Sequence, residues 1–284
     1  MLFRSFGNQL AIFTHCPRGS EIILGEECHI VQHEAGGPAV IAGVQLRAVA
    51  TKAGALTHDD VASRIRGNDI HYPPTSLLCL ENAHSNGRAI PLRDMDEAVA
   101  AARVAGIPVH LDGARLFNAA IALGVQPEEV ADRADSVMFC LSKGLCAPIG
   151  SMLAGSKVFI EKARRKRKIM GGGMRQAGVI AAAGLLALGP MRERLHEDHT
   201  HAKALAAGLS NIPGVSVDFT SVDIDMVFFT ITPEPDPIRF VDYMRSQNIL
   251  VNPPESGKLR FVCHYWIHDN HIPIILNALR TAIS

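Results

Sequence analysis

Short apolar runs alternate along the first half of the chain with segments whose apolar positions recur every three or four residues. Ile22-Ile23-Leu24, Leu77-Leu78-Cys79-Leu80 and Val137-Met138-Phe139 are runs of strand length bounded by polar residues or glycine. Such runs read as buried strands. The pattern predicts strands over 21–24, 76–80, 107–111, 136–141 and 150–154. Between them, Ala98, Ala101, Ala102 and Ala105 fall at helical spacing and Gly106 follows as a stop, which predicts a helix over 94–106. A shorter helix is predicted over 116–123. Strands alternating with helices predict a mixed or parallel sheet with helices on both faces. In such sheets ligands lie beyond the carboxyl ends of the strands. Glu81, Asp112 and Lys143 all fall at such ends.

After Lys157 the pattern changes. A basic helix is predicted over 161–168, then Gly171-Gly172-Gly173, then an alanine-rich helix over 177–188 closed by Gly189-Pro190. Further helices are predicted over 191–210, 238–247 and 271–283, with strands over 215–219, 226–231 and 259–263. This block reads as a smaller second domain, which divides the chain into 1–190 and 191–284.

Composition narrows the class. The chain has 284 residues with 28 basic and 28 acidic side chains, so no global charge steers it to nucleic acid or to a membrane surface. No apolar stretch reaches the ~20 residues that span a bilayer, and the first residues lack a signal-peptide layout. Cys16, Cys28, Cys79, Cys140, Cys146 and Cys263 form no CxxC pair and sit largely in apolar runs, so they read as buried reduced thiols of a cytoplasmic protein. The thirteen histidines contain no HExxH motif, and no metal site is expected. His196, His199 and His201 read as a polar helix face. Arg164-Arg165-Lys166-Arg167-Lys168 reads as a solvated or subunit-facing surface.

The candidate chemistry lies at the strand ends. Lys143, between Ser142 and Gly144 after an apolar strand, is either a solvated strand-end lysine or an amine prepared for Schiff-base chemistry, because burial favours the neutral amine. Asp112 lies one strand–helix–strand unit earlier. It is either the N-cap of the helix after it or an acid that keeps a pyridine nitrogen protonated, and both roles are compatible.

Three blocks carry a resemblance: His110-Leu-Asp-Gly-Ala-Arg-Leu-Phe-Asn118, the stretch from Ser136 through Ser142-Lys143-Gly144 to Gly150, and Lys168-Ile-Met-Gly-Gly-Gly-Met-Arg-Gln-Ala-Gly178. Together they resemble the low-specificity L-threonine aldolases, from about Leu2 to the C-terminus. The resemblance implies an α/β fold of the fold-type-I, aspartate-aminotransferase-like class. It implies a central mixed, mostly parallel sheet, a large pyridoxal-phosphate-binding domain and a smaller C-terminal α/β domain. It assigns Lys143 as the cofactor-binding lysine, Asp112 as the acid at the ring nitrogen, and His29 as the imidazole stacked on the ring. Arg115 and Arg260 match arginines near the cofactor and the substrate carboxylate, a group that suits a guanidinium fork. His84 matches a histidine near the substrate hydroxyl. His33, four residues after His29, is a candidate for stereochemical preference. Gly7, Asn8 and Arg175 are candidates for the cofactor and its phosphate. The implied reaction cleaves L-threonine or L-allo-threonine to glycine and acetaldehyde, in a dimer or tetramer.

Members of that family begin several dozen residues earlier, and their glycine–threonine phosphate loop precedes the counterpart of Phe6-Gly7-Asn8-Gln9. An N-terminally truncated member with weakened cofactor binding is therefore expected. The motifs around Asp112 and Lys143 alone also permit another amino-acid lyase or a racemase, and the absent Gly-Thr pair permits a non-catalytic remnant that holds no cofactor.

Overall fold

The computed structural model describes residues 4–283; Met1 to Phe3, where the resemblance begins, lie outside them. The chain divides into two compact units, one of residues up to Ser85 with Ala89–Arg192, the other of Asn86–Arg88 with Glu193–Ser284.

The first unit is built on six strands, β1 (Glu21–Gly25), β2 (Gln45–Val49), β3 (Thr75–Glu81), β4 (Val109–Asp112), β5 (Ser136–Cys140) and β6 (Ser151–Gly155). They lie in the order β2-β1-β3-β4-β5-β6. All pairings are parallel except the antiparallel β5–β6 pair, so the sheet is mixed and mostly parallel. Its helices are α1 (Arg4–His15), α2 (His29–Gln32), α3 (His58–Ala62), α4 (Leu92–Val104), α5 (Leu116–Leu123), α6 (Pro127–Ala131), α7 (Lys157–Ile169) and α8 (Gly178–Leu188).

The two-residue period of a strand sorts the core into two layers. Ile22, Leu24, Leu77 and Cys79 pack with Ile12 of α1. Ile23, Leu78 and Val109 point the other way and pack with Ala98, Ala101 and Ala102 of α4. Leu111 and Val137 continue that second layer against Leu116 and Ala120 of α5. The same alternation leaves His110, Asp112 and Met138 on the α1 side. Helix α1 was not foreseen, because nothing around Ser5-Phe6-Gly7 signals a helix start. Strand β2 was not foreseen either: it is an edge strand with a single buried residue, Val49, and Gln45-Leu46-Arg47-Ala48-Val49 has no apolar run. Helix α7 is the predicted basic helix. Its Lys166 ammonium donates to the Phe13 carbonyl and stands 4.1 Å from the Phe13 ring centroid, which ties α7 to α1.

Along the chain, a short helix, α9 (Pro190–Glu193), spans the boundary of the two units. The second unit holds α10 (Leu195–Leu209), β7 (Val215–Val217), β8 (Met226–Ile231), α11 (Pro237–Ser246), β9 (Leu259–Val262) and α12 (His271–Ile283). Its sheet has the order β7-β8-β9 and is antiparallel. Phe229, Phe261, Phe240, Leu205, Leu209 and Leu279 form its core.

The single helix predicted over 191–210 is two pieces, α9 and α10, parted at Arg194. The polar helix face expected at His196, His199 and His201 is corrected as well. His199 and His201 are buried, with Asp198 between the turns fully buried, and only His196 of the three is exposed. Asp198 and His201 have charged partners. Arg194 clasps Asp198 one turn on, and His201 Nε2 lies 3.1 Å from Asp269.

Candidate active site

Strands β3, β4 and β5 are in register so that Glu81 pairs with Asp112 and Asp112 with Met138. The carboxyl ends of these parallel strands therefore share one edge of the sheet. His29 follows β1, His84 follows β3, Asp112 and Arg115 stand at the end of β4, and Lys143 follows β5.

Asp112 is 1% exposed. Its Oδ1 accepts the Ala114 backbone N–H at 3.0 Å, and its Oδ2 accepts Asn8 Nδ2 at 2.6 Å. The local turn depends on Gly113: a Cβ there would stand 2.9 Å from the Met138 carbonyl oxygen. His29 opens α2. Its backbone N–H donates to Glu81 Oε2 at 2.7 Å, and its ring Nδ1 faces Glu34 Oε1 at 2.9 Å. Glu34 also accepts from Asn8 Nδ2 at 2.8 Å and from Gln9 Nε2. The exposed His33 ring stands 5.4 Å from the His29 ring, tilted by 50°.

The structure thus joins Asn8, His29 and Asp112 of the expected residues, and adds Glu34, which sequence reasoning did not single out. Glu34 lies five residues after His29 and beyond the end of α2, so only its nearness in sequence was readable, and its link to Asp112 was not. Gly7 is buried and packs against β5, where a Cβ would lie 2.2 Å from Met138 Cγ. His84 is 2% exposed and stacks on the backbone of Gly54, whose added Cβ would lie 2.8 Å from the ring. A cavity of about 20 Å³ lies beside it, lined also by Glu81 and Met95.

Lys143 is half-buried in a tight loop, where its carbonyl accepts the Cys146 N–H at 2.9 Å and Leu141 N–H reaches the Gly150 carbonyl at 3.0 Å. Arg115 is half-buried at the start of α5. Arg175 is exposed on the connection from α7 to α8. Arg260 is exposed on β9 of the second unit, 6.0 Å from the Phe228 ring centroid.

His29, Glu34 and Asp112 place one ligand-type atom each within 4.8 Å of one another. The amides of Asn8 and Gln9 engage the two carboxylates, so the group forms a hydrogen-bonded cluster. Burial lowers His110 to about 4, with the His15 ring adding to the effect and the Asp112 carboxylate opposing it. Burial likewise lowers His15 to about 4, against the Asp135 carboxylate. Burial pushes the Cys28 and Cys79 thiols well above their usual range, which suits structural rather than nucleophilic cysteines.

A mixed sheet of this order, with an acid and a lysine on successive carboxyl ends, defines an α/β enzyme of the fold-type-I class. The structure superposes on a threonine aldolase of Leishmania major with a TM-score of 0.79, at 17% identity and covering 98% of this chain and 81% of that one. A beta-eliminating lyase family model matches residues 3–232. The chain is 39% identical over 291 residues to low-specificity L-threonine aldolase 1 of Arabidopsis thaliana, covering 98% of this chain and 80% of that protein. It is 40% identical over 258 residues to the low-specificity L-threonine aldolase of Escherichia coli K12, covering 90% of this chain and 75% of that protein. The chain belongs to the beta-eliminating lyases, among the low-specificity L-threonine aldolases.

The lowered histidines set a pH dependence. Between about pH 4 and 6.5 the unfolded chain binds protons at His15 and His110 that the folded chain does not. Stability therefore rises with pH in that window, is level above it, and is lost on acidification. Urea midpoints at pH 7 and pH 5 should fall for the parent, and fall less for His110→Asn. An equal fall in both would contradict the assignment to His110.

Proposed function

We propose that the chain is a pyridoxal-phosphate-dependent aldehyde-lyase that cleaves L-threonine and L-allo-threonine, and related β-hydroxy-α-amino acids, to glycine and an aldehyde. The observation that carries this reading is the alignment of Asp112, Lys143, His29 and His84 on one edge of the parallel sheet. Identity of 39–40% to the two threonine aldolases supports the substrate class.

The residues fit the cofactor by their chemistry. Asp112 is a buried carboxylate whose oxygens accept from the Asn8 amide and the Ala114 backbone N–H. Lys143 would hold the cofactor covalently, Asp112 would face its ring nitrogen, and the His29 ring would lie against it. Arg175 would serve the phosphate, while Gly7 and Asn8, in α1, would act on the cofactor from the side of Asp112. Pyridoxal phosphate supplies an electron sink for the pair released when the Cα–Cβ bond breaks.

The remaining work falls to this chain. Arg115 and Arg260 offer guanidinium forks for the substrate carboxylate. His84 takes the proton of the β-hydroxyl, directly or through a water. His33, exposed beside His29, is placed to distinguish the two configurations at Cβ. Residues 1–190 act as the cofactor-binding domain and 191–284 as the small domain, in a cytoplasmic enzyme of threonine breakdown and glycine supply. No helix among the described residues is long and apolar enough to cross a membrane.

Assembly as a dimer or tetramer is supported by α8. The helix is apolar on all sides, and Val179, Leu185 and Leu186 are 77%, 75% and 62% exposed. A helix apolar all round is ordinarily buried.

Two measurements test the reading. Glycine should be released from L-threonine in the presence of pyridoxal phosphate, and His84→Phe should lower kcat by about 10²–10⁴, the range of a general base. A parental rate in that variant removes His84 from the chemistry. In sedimentation, the parent should run as an oligomer and Leu185→Glu with Leu186→Glu as a smaller species; a monomeric parent contradicts the assembly.

A further inference from the structure

A continuous line of buried polar groups runs from α1 to Asp112. Asn8 and His110 are 0% exposed, Glu34 6% and Asp112 1%. Asn8 stands at the centre. Its Nδ2 donates to Glu34 Oε1 at 2.8 Å and to Asp112 Oδ2 at 2.6 Å, which uses both amide hydrogens.

We propose that Asn8 is a positioning residue: its carboxamide holds Asp112 and Glu34 side by side as carboxylates and, through them and through His110, sets which ring nitrogens of His29 and His110 carry hydrogen. The proposal rests on the reading of Asp112 and His29 as cofactor-facing groups, and goes beyond it to how they are held.

An ionised carboxylate only accepts. Turning the Asn8 amide over would aim its oxygen at two acceptors, so Nδ2 must face Glu34 and Asp112. Asn8 Oδ1 then faces His110 Nε2 at 3.1 Å, and Nε2 must carry the hydrogen. With His110 neutral, its Nδ1 is an acceptor, and the Ser136 hydroxyl donates to it at 2.9 Å. The Ser136 carbonyl, 3.2 Å from Nδ1, is then a close approach only. Ser136 Oγ in turn accepts from His15 Nε2 at 2.8 Å, at a half-buried ring stacked on Phe159. On the other arm, His29 must donate from Nδ1, because Glu34 Oε1 accepts there. Every hydrogen in the line points toward the two carboxylates. Asn8 places one amide hydrogen on each carboxylate.

The low value of His110, set mainly by burial, agrees with its neutral form. Helix α1 supplies Asn8 and His15, β4 supplies His110 and Asp112, and β5 supplies Ser136. The line therefore exists only when α1 is seated on the sheet.

Nitrogen-15 spectra of the histidine rings in the cofactor-free chain test this, with pyridoxal phosphate affinity as the functional readout. In the parent at pH 7, His110 should show one neutral Nε2–H form and His29 a protonated Nδ1. Asn8→Ala should give His110 an averaged pair of tautomers and weaken pyridoxal phosphate binding by about tenfold, the lower end of what losing an outer-shell partner of a bound group costs. Ser136→Ala leaves Asn8 in place and should keep the Nε2–H form. That second variant decides the matter even if Asn8→Ala does not fold. A parental His110 that carries hydrogen on Nδ1, or a Ser136→Ala variant that shifts it there toward the Ser136 carbonyl, overturns the proposal. So does a folded Asn8→Ala with unchanged ring signals. A parent that gives the predicted ring signals but binds no cofactor would overturn the functional reading and leave the role of Asn8 in setting the tautomers intact.

Discussion

Glu81, Asp112 and Met138 stand in one row across β3, β4 and β5, and the site depends on that row. Parallel pairing sends all three strands out of the sheet on the same side. Once the row is set, the residues a few positions further on, His84, Arg115 and Lys143, are brought to one edge without any further device. The two-residue period then decides which face each strand residue serves. Val109 and Leu111 go to the apolar layer under α4 and α5, whereas His110 and Asp112 go to α1. The chemistry and the core thus share a strand of four residues, β4, by taking alternate positions along it.

Helix α1 closes the arrangement. Gly7 lets it approach β5 without meeting Met138, and Asn8 then reaches Asp112. Any side chain larger than hydrogen at Gly7 must move Met138 or lift the helix, and Asn8 would lift with it. Packing at one residue and polarity at the next are therefore coupled, which gives the buried amide a role in both stability and the site.

Much of this was readable in the residues. The strand ends at Glu81, Asp112 and Lys143 were legible because a buried parallel strand is a short apolar run, and its end is where that run meets a charge. Helices 116–123 and 271–283 were legible from spacing. Other features were not, for identifiable reasons. Strand β2 is an edge strand with exposed positions, so it carries no apolar run. His199 and His201 look like a solvated face because histidine is polar, yet both are buried, and His201 pairs with Asp269, far along the chain. Glu34 lies five residues past His29, but its second link runs through Asn8 to Asp112, two residues 104 apart in the chain. Such closures are made by the fold and have no local signature.

The central claim is that Asp112 and Lys143 form a working cofactor site in this chain. The most direct measurement is the visible spectrum of the purified protein titrated with pyridoxal phosphate, recorded beside Lys143→Ala. The account predicts a saturable absorbance band in the parent that is absent from the variant. The same band in both, or no band in either at excess cofactor, would contradict it.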